Sequence, residues 1–372
     1  MFRKAITLTA LAAMVVLPLH VRAAEVAEGN WINLFDGESL FGWTQFGDVP
    51  WEAGDGVLSA TAEAKAGAGG WLATTSQFKD FEFTAEVMME GPGSMGLAVR
   101  AGLEGHVDEN GGGTIFFGDE KNDGKWHTIH VKAMGSDIDA TIDGEKIELA
   151  ASRDKGYILI QFHRYYRFWS HKFSLNVRNV KLRPLGLTPI FNGENLDGWN
   201  ILPDKDSDFS VKEGAINILH GNGQIETAGQ YKDFALQLDI ISNGEQLNSG
   251  VFFRGPVGVF WKGYESQVRN DWQGDDRTKP NDFGTGGNYG NVETRKVVSS
   301  DHEWFQKTII ADGNHTSVWI NGYQVSDFYD SRPANPDSDA KNGFVPGPGT
   351  IHLQGHDPTT DLSFKNINIQ EY

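Results

Sequence analysis

Three short stretches in the C-terminal half of the chain carry side chains suited to holding hydroxyl groups. They are Ser249-Gly250-Val251-Phe252-Phe253-Arg254, Gly263-Tyr264-Glu265-Ser266-Gln267-Val268 and Ile351-His352-Leu353-Gln354-Gly355-His356. Each reads as a strand, and in a strand successive side chains point to opposite faces. Alternation groups Arg254 with Phe252 and Gly250, Glu265 with Gln267, and Gln354 with His352 and His356. If these faces line one sheet, Arg254, Glu265, Gln267, Gln354 and His356 converge on a polar groove, with aromatic walls from Trp261, Tyr264 and Trp272. Bidentate donors and amides suit vicinal hydroxyls, and flat aromatic rings suit sugar rings. The competing reading is the ordinary wet face of a half-exposed antiparallel sheet. Recurrence of the Arg and of Gln-x-His elsewhere in the chain favours a site.

The elements that must position these residues are strands throughout. Segments such as FEFTAEVMME (81–90), FALQLDIIS (234–242) and SFKNINIQ (363–370) alternate apolar and polar residues between Gly, Asn and Asp. Asp143-Gly144 and Asn321-Gly322 are two-residue hairpin signals, because a type I′ turn needs positive φ at both positions. No helical stripe follows the first 23 residues. Many short antiparallel strands with frequent turns predict an all-β protein built from β-sandwiches.

The chain also repeats itself. NLFDGESLFGW (33–43) is echoed by PIFNGENLDGW (189–199), SQFKDFEFTAEV (76–87) by GQYKDFALQLDI (229–240), and ILIQFH (158–163) by IHLQGH (351–356). Ordered matches predict two tandem domains, 30–185 and 189–372. The offset between copies grows from 154 at Arg100/Arg254 to 178 at Trp126/Trp304, so the second copy carries 24 extra residues there. A further insertion falls in 331–347. Insertions mark loops, and loops carry function, so the second copy is the better candidate for a site. The first copy keeps Arg100, Gln161 and His163 but has no clear counterpart of Gly263 to Gln267. It is expected to be an accessory domain, glycan-binding or structural.

Composition excludes several classes. Fifty acidic against 32 basic residues give a net charge of −18, which argues against nucleic-acid or anionic-lipid partners. The absence of cysteine rules out disulfides, thiolate metal sites and a cysteine nucleophile. There is no phosphate-binding glycine loop, no His-Glu-x-x-His and no nucleophile elbow. Asp271, Asp275, Asp276 and Asp282 form an acidic loop with hard oxygen ligands that a divalent cation such as Ca²⁺ would accept, although EF-hand spacing is missing. Arg3 and Lys4, the apolar run 5–19 and Val21-Arg22-Ala23 read as a signal peptide over 1–23, which predicts export to the periplasm or beyond. The run is shorter than the ~20 residues of a membrane-spanning helix.

The openings FDGESLFGW and FNGENLDGW, with YKDFALQLDI, NSGVFFR, GYESQV, WING, IHLQGH and FKNINIQ, resemble the 3-keto-disaccharide hydrolase domain family. The resemblance is loose over 30–185 and good over 189–372. It implies a concanavalin A-like jelly-roll fold and cleavage of glycosides whose sugar carries a ketone at carbon 3. That ketone acidifies the proton on carbon 2, so a base removes it, the glycosidic oxygen leaves, and water then completes a net hydrolysis. Such chemistry needs a base, an enolate stabiliser and an acid rather than the carboxylate pair of standard glycosidases. Under this resemblance His356 is the base, since imidazole titrates near neutrality. Arg254 orients the substrate or steadies the enolate, Glu265 is the acid or holds His356, and Gln267 and Gln354 bind hydroxyls. The alternatives are a non-catalytic tandem lectin-like protein, because fold does not dictate function, and an envelope scaffold with no sugar site.

Overall fold

Alternation decides the layering. In Phe81–Glu90, residues Phe81, Phe83, Ala85, Val87 and Met89 are buried and those between are less so, so one face must be covered by a second apolar surface. That surface is another sheet. The computed structural model describes residues 28–62, 69–91, 93–103, 113–117, 121–149, 153–164 and 172–372, and the regular elements among them are β-strands. The expected signal segment 1–23 lies outside the described residues. No helix among the described residues is long and apolar enough to cross a membrane.

Each copy is a jelly-roll sandwich of one eight-stranded and one five-stranded sheet. The five-stranded sheet of the second copy runs Trp199–Ile201, Gly223–Thr227, Thr350–Gly355, Ser249–Gly255, Tyr264–Val268, with every neighbour antiparallel. Its counterpart in the first copy runs Trp43–Gly47, Gly69–Thr74, Tyr157–Arg164, Gly93–Ala101, Gly113–Phe117. The hairpin signals hold: Asp143 and Gly144 have φ of 53° and 80°, Asn321 and Gly322 50° and 78°.

The two sandwiches pack together. Trp319, Ile310 and Ala235, on the eight-stranded sheet of the second copy, are fully covered as part of the first copy's core cluster, and Trp319 Nε1 donates to Asn33 O at 3.0 Å. Arg295 pairs with Asp36 at 2.7 Å, its guanidinium between the rings of Phe41 and Tyr323 at 4.4 and 4.3 Å. This explains why Phe234–Ser242 and His315–Ile320 are buried on both faces despite alternating sequence. The first copy thus occupies the outer face of the eight-stranded sheet. The outer face of the five-stranded sheet lies on the opposite side of the sandwich and is left for other use.

Candidate functional site

Register joins four strands into two rows that carry polar side chains. Glu226 pairs with His352, His352 with Phe252, and Phe252 with Glu265. In the next row on the same face, Gln224 pairs with Gln354 and Gly250 with Gln267. The inner face of these strands carries Ile225, Leu353, Val251, Phe253, Tyr264 and Val268, all core. Sequence alternation therefore placed Glu265, Gln267 and Gln354 correctly with respect to the faces.

Glu265 lies on this face of Tyr264–Val268, the outermost strand of the sheet. Only 7% of it is exposed, and its carboxyl has no hydrogen-bond partner among the described residues. Burial pushes its pKa up to about 8, with the Asp282 carboxylate adding to the rise and Lys341 and Lys307 opposing it. Its carboxyl fits because residue 250 is glycine: a Cβ there would stand 2.4 Å from Glu265 Oε1. Gly250→Ala is therefore expected to swing the carboxyl aside, to move its titration midpoint by about half a unit or more and to cost about 1–3 kcal/mol of stability. Carbon-13 titration beside thermal melting checks this.

Other polar atoms on or near this face lack partners. Gln354 Oε1, Gln224 Nε2 and Asn248 Oδ1 are buried without one, a costly condition that a ligand's hydroxyls would relieve. Gln267 is not among them. Its Nε2 donates to Asp282 O at 3.0 Å and to the Asp282 carboxylate at 3.2 Å, and Asn248 Nδ2 donates to the same carboxylate at 3.0 Å. Gln267 thus fixes Asp282 beside Glu265.

Sequence reasoning missed a second cluster on this face. His352 is fully buried, with Nε2 2.6 Å from Thr350 Oγ1 and 3.5 Å from Glu226 Oε2, and Nδ1 3.3 Å from Gln224 Oε1. Burial pushes its pKa down to about 4, so it is neutral at physiological pH. The loop 256–262 seals this cluster. Gly258 N donates to both carboxylate oxygens of Glu226, and Trp261 N to Gln224 Oε1 at 2.9 Å. Alternation already put His352 beside Gln354; the cross-strand partners Gln224 and Glu226 had no local signal.

Arg254 is a correction. A bulge between Phe252 and Gly255 and a positive φ of 55° turn it out of the alternation. It is 2% exposed and bonds Lys232 O, Gly313 O, Val345 O and Asp233 Oδ1, tying the two sheets together away from the groove. Arg100, with φ of 51°, does the same in the first copy through Lys79 O, Gly135 O and Asp80 Oδ1. Recurrence of the Arg marks the fold and not a site. Tyr264 is a second correction: its ring stacks on Phe253 in the core at 5.3 Å and its hydroxyl donates to Asp330 Oδ2 at 2.7 Å. It faces away from Glu265, as its strand position requires.

His356 is on the rim. It is half-buried and stacks on Trp261 at 5.8 Å, and Trp261 stacks in turn on Phe260 at 4.9 Å. Glu265 and His356 make no contact. Trp272 belongs to the inserted segment, with its ring held by Arg277 at 4.1 Å. The carboxylates of the acidic loop are taken up by neighbouring cations: Asp271 pairs with Arg269 at 3.2 Å, Asp282 lies 3.9 Å from the same guanidinium, and Asp276 pairs with Lys279. Among the described residues no three His, Asp or Glu side chains gather as a metal cluster. A separate depression of about 640 Å³ is lined by Asn192, Asp197, Asn366 and Asn368 among others, with the exposed Asp197 as its one titratable group.

The first copy has the same strands with other side chains. Gly113–Phe117 occupies the place of Tyr264–Val268, correcting the expectation that no counterpart exists; the insertion follows this strand. Register sets Ala73, Leu159, Ala98 and Thr114 where the second copy has Glu226, His352, Phe252 and Glu265. Ala73, Ala98 and Leu159 form a small apolar cluster there. The side chain of His163 lies outside the described residues.

Among solved structures the chain is similar to two presumptive glycosyl hydrolases from Parabacteroides distasonis ATCC 8503. One is 24% identical over 50% of this chain and 99% of that one, with a TM-score of 0.41; the other is 23% identical over 50% and 94%, with a TM-score of 0.40. It is also similar to the carbohydrate binding module CBM66 from Bacillus subtilis, at 15% identity over 49% and 99%, with a TM-score of 0.35. No curated protein matches. Residues 30–183 and 186–370 each match the 3-keto-alpha-glucoside-1,2-lyase-like domain, and the chain belongs to that family, with one copy of the domain in each sandwich.

Proposed function

We propose that the second sandwich is an enzyme acting on 3-keto-glucosides and that Glu265 is its proton-transfer group. The observation that carries this reading is a buried carboxyl with no hydrogen-bond partner among the described residues, on the same sheet face as buried amide atoms that also lack one. A carboxyl titrating near 8 holds both forms at neutral pH, as acid–base catalysis favours. In its base form Glu265 takes the proton from carbon 2 of the keto sugar. The C2–H electrons enter the enolate, then form the C1=C2 double bond as the C1–O bond breaks, and the leaving oxygen receives the proton Glu265 has just gained. Water adding OH to carbon 1 and H to carbon 2 completes net hydrolysis.

The other roles follow from position. The free amide oxygens of Gln354 and Asn248 bind sugar hydroxyls. Lys341, exposed over the Tyr289 ring at 4.2 Å, supplies positive charge for the enolate. His356 and Trp261 form the rim, where the leaving group departs. The first sandwich, with Thr114 in place of Glu265, is an accessory domain without turnover, and the protein is exported.

The test is incubation of the mature protein with a chromogenic glucoside and with its 3-keto derivative, each with and without chelator. Release from the keto form alone is the expected result. Binding of either compound without release would make this a carbohydrate-binding protein instead, and loss of release on chelation would add a metal to the mechanism.

A further inference from the structure

The fold is built twice in this chain, and one buried position differs in a way the fold does not require. Lys307, on Phe305–Asp312, points into the core between the sheets and is fully buried. Its Nζ lies 2.9 Å from Ser266 O, 3.0 Å from Ser266 Oγ and 2.8 Å from Gln267 O. Those acceptors belong to the strand that carries Glu265 on its other face. In the first copy, Ile129 stands where Lys307 stands, since Ala85 pairs with Ile129 as Leu238 pairs with Lys307. Likewise Ile115 replaces Ser266 and Thr114 replaces Glu265, since Leu97 and Ala98 pair with them as Val251 and Phe252 do. Ile129 and Ile115 are ordinary core. A sandwich of this kind therefore closes well with an isoleucine pair, and lysine, serine and glutamate appear together where the groove appears.

We propose that Lys307 is a positioning residue that acts through the strand Tyr264–Val268 to set the protonation of Glu265. Its charge is held at fixed distance by three contacts, in an interior where charge pairs are weakly screened. The contacts tolerate either state: as an ammonium it donates to all three oxygens, and as an amine it donates to the two carbonyls while the Ser266 hydroxyl donates back. Burial pushes Lys307 down from the usual lysine range and Glu265 opposes the fall, as Lys307 opposes the rise of Glu265. The charged form of each group thus favours the charged form of the other. The other groups facing Glu265 are Lys341 from 331–347, and Asp282 and Tyr289 from the inserted segment after Val268.

The role rests on the reading of Glu265 as the proton-transfer group, but its test does not need turnover. Carbon-13 titration of Glu265 in the full chain, assigned by its loss in Glu265→Gln, is compared with Lys307→Met. The midpoint is expected to rise by at least about one unit, because a nearby positive charge favours the carboxylate, and the pH profile of turnover to move with it. Reciprocally, nitrogen-15 titration of Lys307 Nζ in Glu265→Gln is expected to fall by at least about half a unit. An unmoved Glu265 midpoint in folded Lys307→Met, or an unmoved Lys307 midpoint in Glu265→Gln, overturns the proposal. A shifted midpoint without turnover of any keto-glucoside would leave the coupling standing and remove the enzymatic reading.

Discussion

Glu265→Gln is expected to lower turnover of a 3-keto-glucoside by at least about 10²-fold and, in the same protein, to raise the melting temperature at neutral pH. The combination separates a group kept for chemistry from one kept for the fold. Glutamine preserves the shape but cannot exchange a proton, and no hydrogen bond among the described residues is lost with the carboxyl. The stability gain follows from linkage. Burial pushes the carboxyl up to about 8, so the folded chain retains a proton that an unfolded chain, near 4.5, has released. The contribution of Glu265 is full below about pH 4.5 and is lost as pH rises toward 8. The advantage of the glutamine variant should grow across that window and level off above it, reaching on the order of a few kcal/mol. Lys307 has the opposite slope, because burial lowers its pKa and stability therefore rises with pH until the unfolded chain's lysine, near 10.5, has also released its proton. Thermal melts from pH 4 to 10 check both trends. A variant that melts lower than wild type throughout would mark Glu265 as structural.

Arg254→Met is expected to cost about 3–5 kcal/mol and to lower the melting temperature by roughly 10 °C, with specific activity of the folded fraction unchanged. The guanidinium bridges Asp233 at the start of one sheet to the carbonyls of Lys232, Gly313 and Val345. Losing it strands a carboxylate and three acceptors in a largely buried place. Desolvation lowers the Arg254 pKa, and Asp233 offsets part of that, which is the signature of a buried ion pair and not of an open site. Lysine cannot replace the fork, since four acceptors in these directions need the planar guanidinium. Arg100→Met should behave alike in the first sandwich. Calorimetry of both variants beside turnover per folded molecule tests the assignment, and lost turnover at an unchanged melting temperature would return Arg254 to the site.

Much of this protein was legible because strand periodicity is local. Side chains two apart share a face whatever the strand later pairs with, so Glu265 and Gln267 could be placed together, and His352 with Gln354, from spacing alone. Turns are equally local: Asp-Gly and Asn-Gly demand positive φ, and they adopt it. Duplication needed only comparison of the chain with itself. Copy comparison also held the signal for Lys307, an isoleucine in one half and a lysine in the other, although only packing shows that the lysine reaches the strand of Glu265.

Arg254 misled because one bulged residue inverts every parity argument beyond it, and a bulge forms where two strands fail to keep step. Gln224 and Glu226 were invisible because register sets their neighbours, and register joins residues more than 120 positions apart. The sequence by itself thus determined which side chains share a face within each strand. The tertiary structure decided which strands lie side by side, which loop closes over them and which charge lies behind, because those contacts are made across strands and between sheets, where no local period reaches.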